Sequence, residues 1–221
     1  GIAAKGQWAR ALDYYRAAAA AADELAASAP ALSSESAALL RWQAHQRVGR
    51  TLYWGARDRS AALAEYQRAL ELAPDNIGLY IQVGEIAADG RNFAEATRWY
   101  ERARGIDPTS EAPLLSLGAN ELAAGRVAEA MAYFRDALAL KANSDAAHQW
   151  LGRALVQQGL YGEAQAEFAE AARLNPRSSD HYLWLGAASR EGGQLNAAVI
   201  AYRKALELEP TSSVALQGLG L

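Results

Sequence analysis

Apolar residues along this chain recur at the three- and four-residue spacing of amphipathic α-helices. In residues 145–178 they form two such stripes, with Gly159 between them at the point where the chain must turn. The stripe residues are Leu151, Gly152, Leu155, Ala164, Phe168 and Ala171. The pattern predicts two helices that pack through small residues and one aromatic ring.

This two-helix pattern repeats every 34 residues. Four independent series share the spacing: Gly84, Gly118, Gly152, Gly186 and Gly220; Ala62, Ala96, Ala130, Ala164 and Ala198; Tyr66, Tyr100, Phe134, Phe168 and Tyr202; Ala69, Ala103, Ala137, Ala171 and Ala205. No single helix pair can cover its own apolar faces, so stacked pairs are expected to form the core together.

A fifth series consists of prolines, which we expect to end the second helix of each pair because proline lacks the backbone N–H that continuation requires. Its members are Pro74, Pro108, Pro176 and Pro210, with Ala142 in the remaining place.

These series resemble the tetratricopeptide repeat family over nearly the whole chain. The resemblance implies an all-α, right-handed superhelical solenoid of antiparallel helix pairs, A and B, with a concave face lined mainly by A helices. As a single array over 1–221, the complete repeats are 43–76, 77–110, 111–144, 145–178 and 179–212. Residues 213–221 begin a further repeat.

The first segment, 1–42, is read as a partial repeat with extended helices. "GIAAKG" resembles the tail of an A helix, and Trp8 falls in the B helix that follows. The alanine run 17–22 favours a B helix that overruns its usual end, breaks near Pro30 and restarts at Ser33 or Ser34. The extra length has two readings, a tolerated insertion or a docking arm.

Both ends cut through a repeat, which predicts a fragment of a longer protein. No apolar run approaches the roughly 20 residues that cross a bilayer. Nineteen arginines against three lysines indicate a GC-rich bacterial genome, and the compartment stays open between cytoplasm and periplasm.

The charge pattern narrows the class of partner. The formal net charge of -3 is spread along the chain without a basic stripe, so nucleic acid is not the expected partner.

No residue pattern indicates catalysis, a metal or a cofactor. His45, His148 and His181 lack the spacing of metal ligands, and His148 is expected to be packed and partly buried. The sequence has no nucleophile or phosphate-loop motif, so we predict a non-enzymatic protein.

What remains is the surface of the A helices opposite the buried stripe, where a mixed apolar and aromatic groove is expected. The predicted ligand-binding residues are Trp54, Ile81, Glu85, Leu115, Gln149, Trp150, Arg153, Gln157, Leu183, Trp184 and Arg190.

Two specialised uses of the family find no support in these residues. Where some members clamp a chaperone's C-terminal carboxylate, this chain carries Ile81, Glu85, Ser116 and Trp150. Where others carry an asparagine ladder, Asn120 stands alone.

Three functions therefore stay open. The first is a protein-interaction scaffold that binds an extended or helical peptide in the concave groove. The second is a carbohydrate-contacting or assembly module of a bacterial cell-surface or exopolysaccharide system, which rests on Trp54, Trp150 and Trp184. The third is self-association through the terminal repeats.

Trp150 and Trp184 lie one repeat apart and have two readings of their own. They either pack between adjacent A helices and stabilise that contact, or they form an aromatic surface on which a ligand stacks, with Arg153 and a neighbouring glutamine as polar contacts. Exposure of the two indole faces separates these readings.

Overall fold

The computed structural model describes residues 2–28 and 34–220, and these ranges are helical without a β-strand. The helices are α1 (Ile2–Ser28), α2 (Ser34–Thr51), a π-helical turn (Leu52–Ala56), α3 (Arg59–Leu72), α4 (Ile77–Asp89), α5 (Phe93–Ile106), α6 (Ala112–Ala123), α7 (Val127–Leu140), α8 (Asp145–Gln157), α9 (Tyr161–Leu174), α10 (Ser179–Glu191), α11 (Leu195–Leu208) and α12 (Ser213–Leu219). None of the helices in the described part of the chain combines the length and apolarity needed to span a membrane. The all-α helix-pair prediction is confirmed.

The chain divides into two compact units, Gly1–Asp107 and Pro108–Leu221. In unit 1, each helix from α1 to α5 packs on the next. In unit 2, each helix from α6 to α12 also packs on the next. A second set of contacts joins alternate helices there: α6 with α8, α8 with α10, and α10 with α12. The alternate helices α6, α8, α10 and the short α12 are the A helices of unit 2, and they form a continuous face within it.

Glycine and an aromatic ring hold the two helices of a pair together. A Cβ atom on Gly118 would lie 2.3 Å from the Phe134 ring, and one on Gly84 would lie 2.4 Å from the Tyr100 ring. No side chain fits at these distances, so the periodic glycine allows the ring of the B helix to pack against the backbone of the A helix. The predicted role of the glycine series is confirmed.

The N-terminal segment differs from its prediction. Residues 2–28 form one continuous helix, so no A-to-B turn follows "GIAAKG". The helix-forming alanines outweigh the single Gly6, whose cost in a helix is about 1 kcal/mol. Helix α2 begins at Ser34, while the break near Pro30 and the cap at Ser33 lie outside the described residues.

The π-helical turn in unit 1 accommodates one extra residue. Gly49, which packs on the Tyr66 ring, precedes Arg57 by eight residues, whereas Gly84 precedes Arg91 by seven. The backbone N–H of Arg57 donates to the carbonyl of Leu52, the five-residue spacing of a π-helix. The π-helical turn accommodates the extra residue, so the positions from Arg57 onward again follow the 34-residue period.

Helix ends do not depend on the proline series. Helix α7 ends at Leu140, at the same place in the period as α5 and α9, although Ala142 replaces proline there. Lys141 leaves the helical conformation, and the Ser144 side chain accepts from the N–H of Ala147 to start α8. The cap of the following helix therefore suffices to define the boundary.

Candidate functional site

Two tryptophans on the A helices of unit 2 make the same contact one repeat apart. Trp150 on α8 stacks on Phe134 of α7, with ring centroids 5.9 Å apart and planes inclined by 17°. Trp184 on α10 stacks on Phe168 of α9 at 5.9 Å and 20°. Both indoles are half-buried. Each therefore packs against the B helix of the preceding pair.

Arg153 joins the two tryptophans. Its guanidinium carbon lies 4.0 Å from the Trp150 ring centroid and 4.9 Å from that of Trp184. Both distances are within the range of cation–π attraction, which favours a guanidinium over an indole face. We call Trp150, Arg153 and Trp184 the tryptophan cluster; it links α8 to α10.

The charge of Arg153 has no ion-pair partner among the described residues of unit 2. Burial lowers the pKa of this guanidinium, and the negative charge of Asp180 offsets that effect only in part. Arginine remains charged under all ordinary conditions. The cluster thus contains a partly desolvated cation that still has free donor capacity.

The other predicted residues of unit 2 are either half-buried or exposed. Leu115 and Leu183 are half-buried and pack on the apolar core. Gln149 is half-buried on α8, while Gln157 is exposed at the end of that helix. Arg190 is exposed at the end of α10, and its guanidinium already pairs with Glu191 at 2.9 Å. Among the predicted residues of unit 2, Arg153 contacts both Trp150 and Trp184 directly.

In unit 1, Trp54 has 50% of its surface exposed. It lies in the π-helical turn and packs edge-on against Tyr53, with ring centroids 4.8 Å apart. The Tyr53 hydroxyl donates to the carboxylate of Asp89. That carboxylate and burial both raise the pKa of Tyr53, burial being the larger cause.

Ile81 and Glu85 lie on α4, where Ile81 is half-buried and Glu85 is exposed. The pKa of Glu85 is raised, first because the surrounding protein displaces water from the carboxylate and second because Asp89 carries a like charge. In turn, burial and then Glu85 raise the pKa of Tyr66 to about 12. This part of α4 is a negatively charged surface.

Sequence reasoning missed two matching histidine–glutamate pairs. His45 Nδ1 lies 2.7 Å from Glu65, and His148 Nδ1 lies 2.6 Å from Glu167. The glutamates are three periods apart, and the histidines match once the extra residue in the π-helical turn is counted. The side chain of His148 is partly buried, as predicted. The one-residue shift from Gly84 to Gly49 was the signal that would have revealed the pairing.

The third histidine, His181 in unit 2, also contacts a carboxylate. Its Nε2 lies 3.1 Å from Asp145. Burial alone would raise the pKa of Asp145, but hydrogen bonds from Asn175 and His181 outweigh it and hold the pKa below its usual value. His45 has a second carboxylate nearby, with its Nε2 3.8 Å from Asp23. Across the described ranges, no group of three or more His, Cys, Asp or Glu is arranged to hold a metal ion.

The comparisons with known proteins agree with this architecture. The family model for the tetratricopeptide repeat matches residues 51–111 and 151–213, together more than half of the chain. No curated protein sequence matches the chain.

Several solved structures have a similar fold. PilW, described as a widely conserved type IV pilus biogenesis factor, is 22% identical over 97% of this chain and 94% of its own, with a TM-score of 0.69. TTC0263, a tetratricopeptide repeat protein of Thermus thermophilus, is 20% identical over 81% and 100%, with a TM-score of 0.69. YrrB, described as having an unusual peptide-binding site, is 22% identical over 80% and 91%, with a TM-score of 0.56.

Proteins with this fold generally act as protein-interaction scaffolds. The family match covers repeats in both units, and the helix pairs of the structure have the architecture that the match requires. The chain therefore belongs to the tetratricopeptide repeat family.

Proposed function

We propose that the protein is a non-enzymatic scaffold that binds an extended or helical peptide segment on the A-helix face of unit 2. The tryptophan cluster is the centre of this site, with Gln149, Gln157, Leu115, Leu183 and Arg190 around it. The observation that carries the proposal is Arg153, a half-buried cation held between two indoles and without an ion pair to any carboxylate in the described part of the chain.

The indole faces are largely used by packing, so Arg153 is the group that a ligand would satisfy. Phe134 and Phe168 cover Trp150 and Trp184 from one side, and the guanidinium lies against both rings. A carboxylate of a bound peptide would accept charge-assisted hydrogen bonds from Arg153 in a shielded setting, where such bonds are stronger than in water. The indole edges would then contact apolar groups beside that carboxylate.

The site therefore favours a peptide with an acidic side chain or a free C-terminus next to apolar residues. YrrB is a structural neighbour described as a peptide-binding protein of the same family, and this agrees with a peptide as ligand. In unit 1, Trp54, Ile81 and Glu85 form a separate candidate surface whose negative charge favours a different, cationic or neutral segment.

A test begins with an array of short synthetic peptides in which acidic and apolar content vary independently. We expect the protein to bind a subset that carries a carboxylate beside apolar residues. Arg153→Met keeps the apolar stem over the indoles but removes the charge, and it should weaken binding roughly ten- to a hundredfold. Arg173→Met removes an exposed arginine of α9 that already pairs with Glu170, and serves as the matched control.

Binding that is equal in the Arg153→Met and Arg173→Met variants would contradict the assignment of the site. A protein that binds no peptide of the array, while both variants fold normally by circular dichroism, would contradict the peptide-binding function itself.

A second candidate function, contact with a glycan, rests on Trp54, whose exposed ring lies beside Tyr53. Carbohydrates stack on exposed aromatic faces, and PilW, described as a type IV pilus biogenesis factor, is a structural neighbour. Titration with oligosaccharides should change the tryptophan fluorescence of the protein but not that of Trp54→Ala. An unchanged spectrum with every glycan would eliminate this candidate.

A further inference from the structure

A groove lies between the B helices α9 and α11 of unit 2, with α10 as its floor, and we call it the α9/α11 groove. Its volume is about 780 Å³. Its walls consist of small residues, the exposed Ala166 and Ala169 on α9 and the buried Ala201 on α11. Tyr182 and Ser189 form part of the floor and Lys204 part of the rim. The tryptophan cluster does not line it.

Unit 1 contains the equivalent groove between α3 and α5, with α4 as its floor. Its volume is only about 350 Å³, and Tyr80, Trp99 and Arg102 are among the residues that line it. Each of these residues lies 102 positions, or three periods, before Tyr182, Ala201 and Lys204. The two grooves thus correspond at these three positions, and unit 2 has the small Ala201 where unit 1 has the indole of Trp99.

The indole of Trp99 occupies part of the groove of unit 1. Its ring centroid is 6.0 Å from that of Tyr80, and the guanidinium of Arg102 lies 4.8 Å above it. The protein therefore shows which group this kind of groove accommodates: an indole held by a tyrosine ring and by a cation. In unit 2 the tyrosine and the cation are retained, but Ala201 takes the place of the indole.

The groove of unit 2 also contains an unused hydrogen-bonding group. Ser189 stands where unit 1 has Ala87, and it is 1% exposed. Its hydroxyl has no hydrogen-bond partner within the described part of the chain. An indole carries one N–H that must find an acceptor when it is buried, and a serine hydroxyl can accept it.

We propose that the α9/α11 groove binds a tryptophan side chain presented by a partner polypeptide. Tyr182 packs against the incoming ring, Lys204 lies over it, and Ser189 accepts from its N–H. A residue on a continuing chain fits better than a free indole because Ile200, 70% exposed beside the groove, offers apolar surface to the neighbouring residues of the partner. The Lys204 ammonium pairs with Glu207 at 2.6 Å in the free protein. When the partner's indole binds, this ammonium moves over the indole ring.

The test uses N-acetyltryptophanamide as the probe and N-acetylleucinamide as the aliphatic control, each titrated into the protein and followed by NMR. We expect the tryptophan compound to shift the methyl signals of Ile200 and Ala201 in a saturable manner. The leucine compound should bind several-fold more weakly. Equal binding of both compounds, or shifts spread over the whole chain, would overturn the proposal.

Variants then locate the site. Ala201→Trp places the molecule's own indole where Trp99 stands in unit 1, and Ala166→Trp fills the groove from the opposite, exposed wall. Each should weaken binding of the probe at least tenfold, whereas Ala139→Trp, an exposed position on α7, should leave it unchanged. Lys204→Met should weaken binding about two- to fivefold because it removes the cation but keeps the stem.

The reciprocal change provides a gain of function. Trp99→Ala empties the groove of unit 1, so the same probe should now also shift signals near Tyr80. Circular dichroism of every variant separates a lost site from a lost fold. If Ala166→Trp and Ala201→Trp both fold and still bind the probe as the wild type does, the groove is not the site. The peptide-array test depends on Arg153 instead, so the two proposals fail independently.

Discussion

The two units build the same turn from different residues. At the end of each A helix one residue adopts the left-handed conformation, and in unit 2 it is always glycine: Gly125, Gly159 and Gly193. In unit 1 the same place holds Arg57 and Arg91, both with φ of 60°. The left-handed region costs an ordinary L-residue roughly 1–2 kcal/mol. The comparison shows that the stacked helices fix the backbone here even where the residue disfavours it.

A second difference lies in where each unit places its tryptophans between neighbouring helices. Unit 2 places two tryptophans over the phenylalanines of its B helices and bridges them with Arg153. In unit 1 an indole, Trp99, lies on a B helix and fills the groove beside Tyr80. The B-helix groove of unit 1 therefore holds an indole and is smaller than that of unit 2.

The largest expected effect concerns the glycine contacts. Gly118→Ala puts a Cβ atom 2.3 Å from the Phe134 ring, and this overpacking should lower the free energy of unfolding by roughly 1–3 kcal/mol. Gly49→Ala in unit 1 puts its Cβ atom 3.2 Å from Tyr66, a distance that a small shift relieves. The gain in helix propensity, about 1 kcal/mol, then offsets the strain. Urea denaturation of both variants measures the difference, and equal losses would show that the two contacts are equally tight.

The turn comparison predicts an intermediate effect of opposite sign in the two units. Arg57→Gly and Arg91→Gly should each stabilise the protein by about 0.5–1 kcal/mol, since relief of the backbone strain exceeds the entropy of the added glycine. Gly159→Arg should destabilise it by about 1 kcal/mol, because a Cβ atom there contacts nothing and only the backbone is affected. Thermal melts of the three variants test this. A destabilised Arg91→Gly would mean that the arginine side chain contributes more than its backbone strain costs.

The smallest effect depends on pH and belongs to unit 1. The pKa of Glu85 is raised in the folded protein, so the stability that protonation provides is complete below the usual carboxyl pKa and is lost as pH rises through the folded value. Ionised Glu85 is therefore unfavourable near neutrality. Glu85→Gln should stabilise the protein at pH 7 by roughly 0.5 kcal/mol or less, the size of a like-charge pair one helical turn apart.

Melting temperatures of Glu85→Gln and wild type across the acidic to neutral range check this sign. The two proteins should converge as pH falls, and Asp136→Asn, which removes an exposed carboxylate from the interior of α7, is the control that tests for a general charge effect. A difference that grows toward low pH would contradict the prediction.

Parts of this picture followed from the sequence alone. The 34-residue period identified the helix pairs, the glycine-to-ring contact and the turn at Gly159, because each depends on spacing along one chain. The same reasoning placed Trp150, Arg153 and Trp184 near one another. It missed the π-helical turn, since one inserted residue leaves both the composition and the helical periodicity nearly intact.

Other features were decided by the tertiary structure. Which face of Trp150 is covered, and that Arg153 lies against both indoles, depend on side-chain directions across three helices, which spacing does not specify. The open α9/α11 groove likewise becomes visible only when Ala201 is set in space beside Tyr182 and compared with Trp99. The spacing along the sequence determined the helices and their pairing, because those contacts recur within one period. How the space between neighbouring helices is packed depended on single side chains, which differ from one repeat to the next.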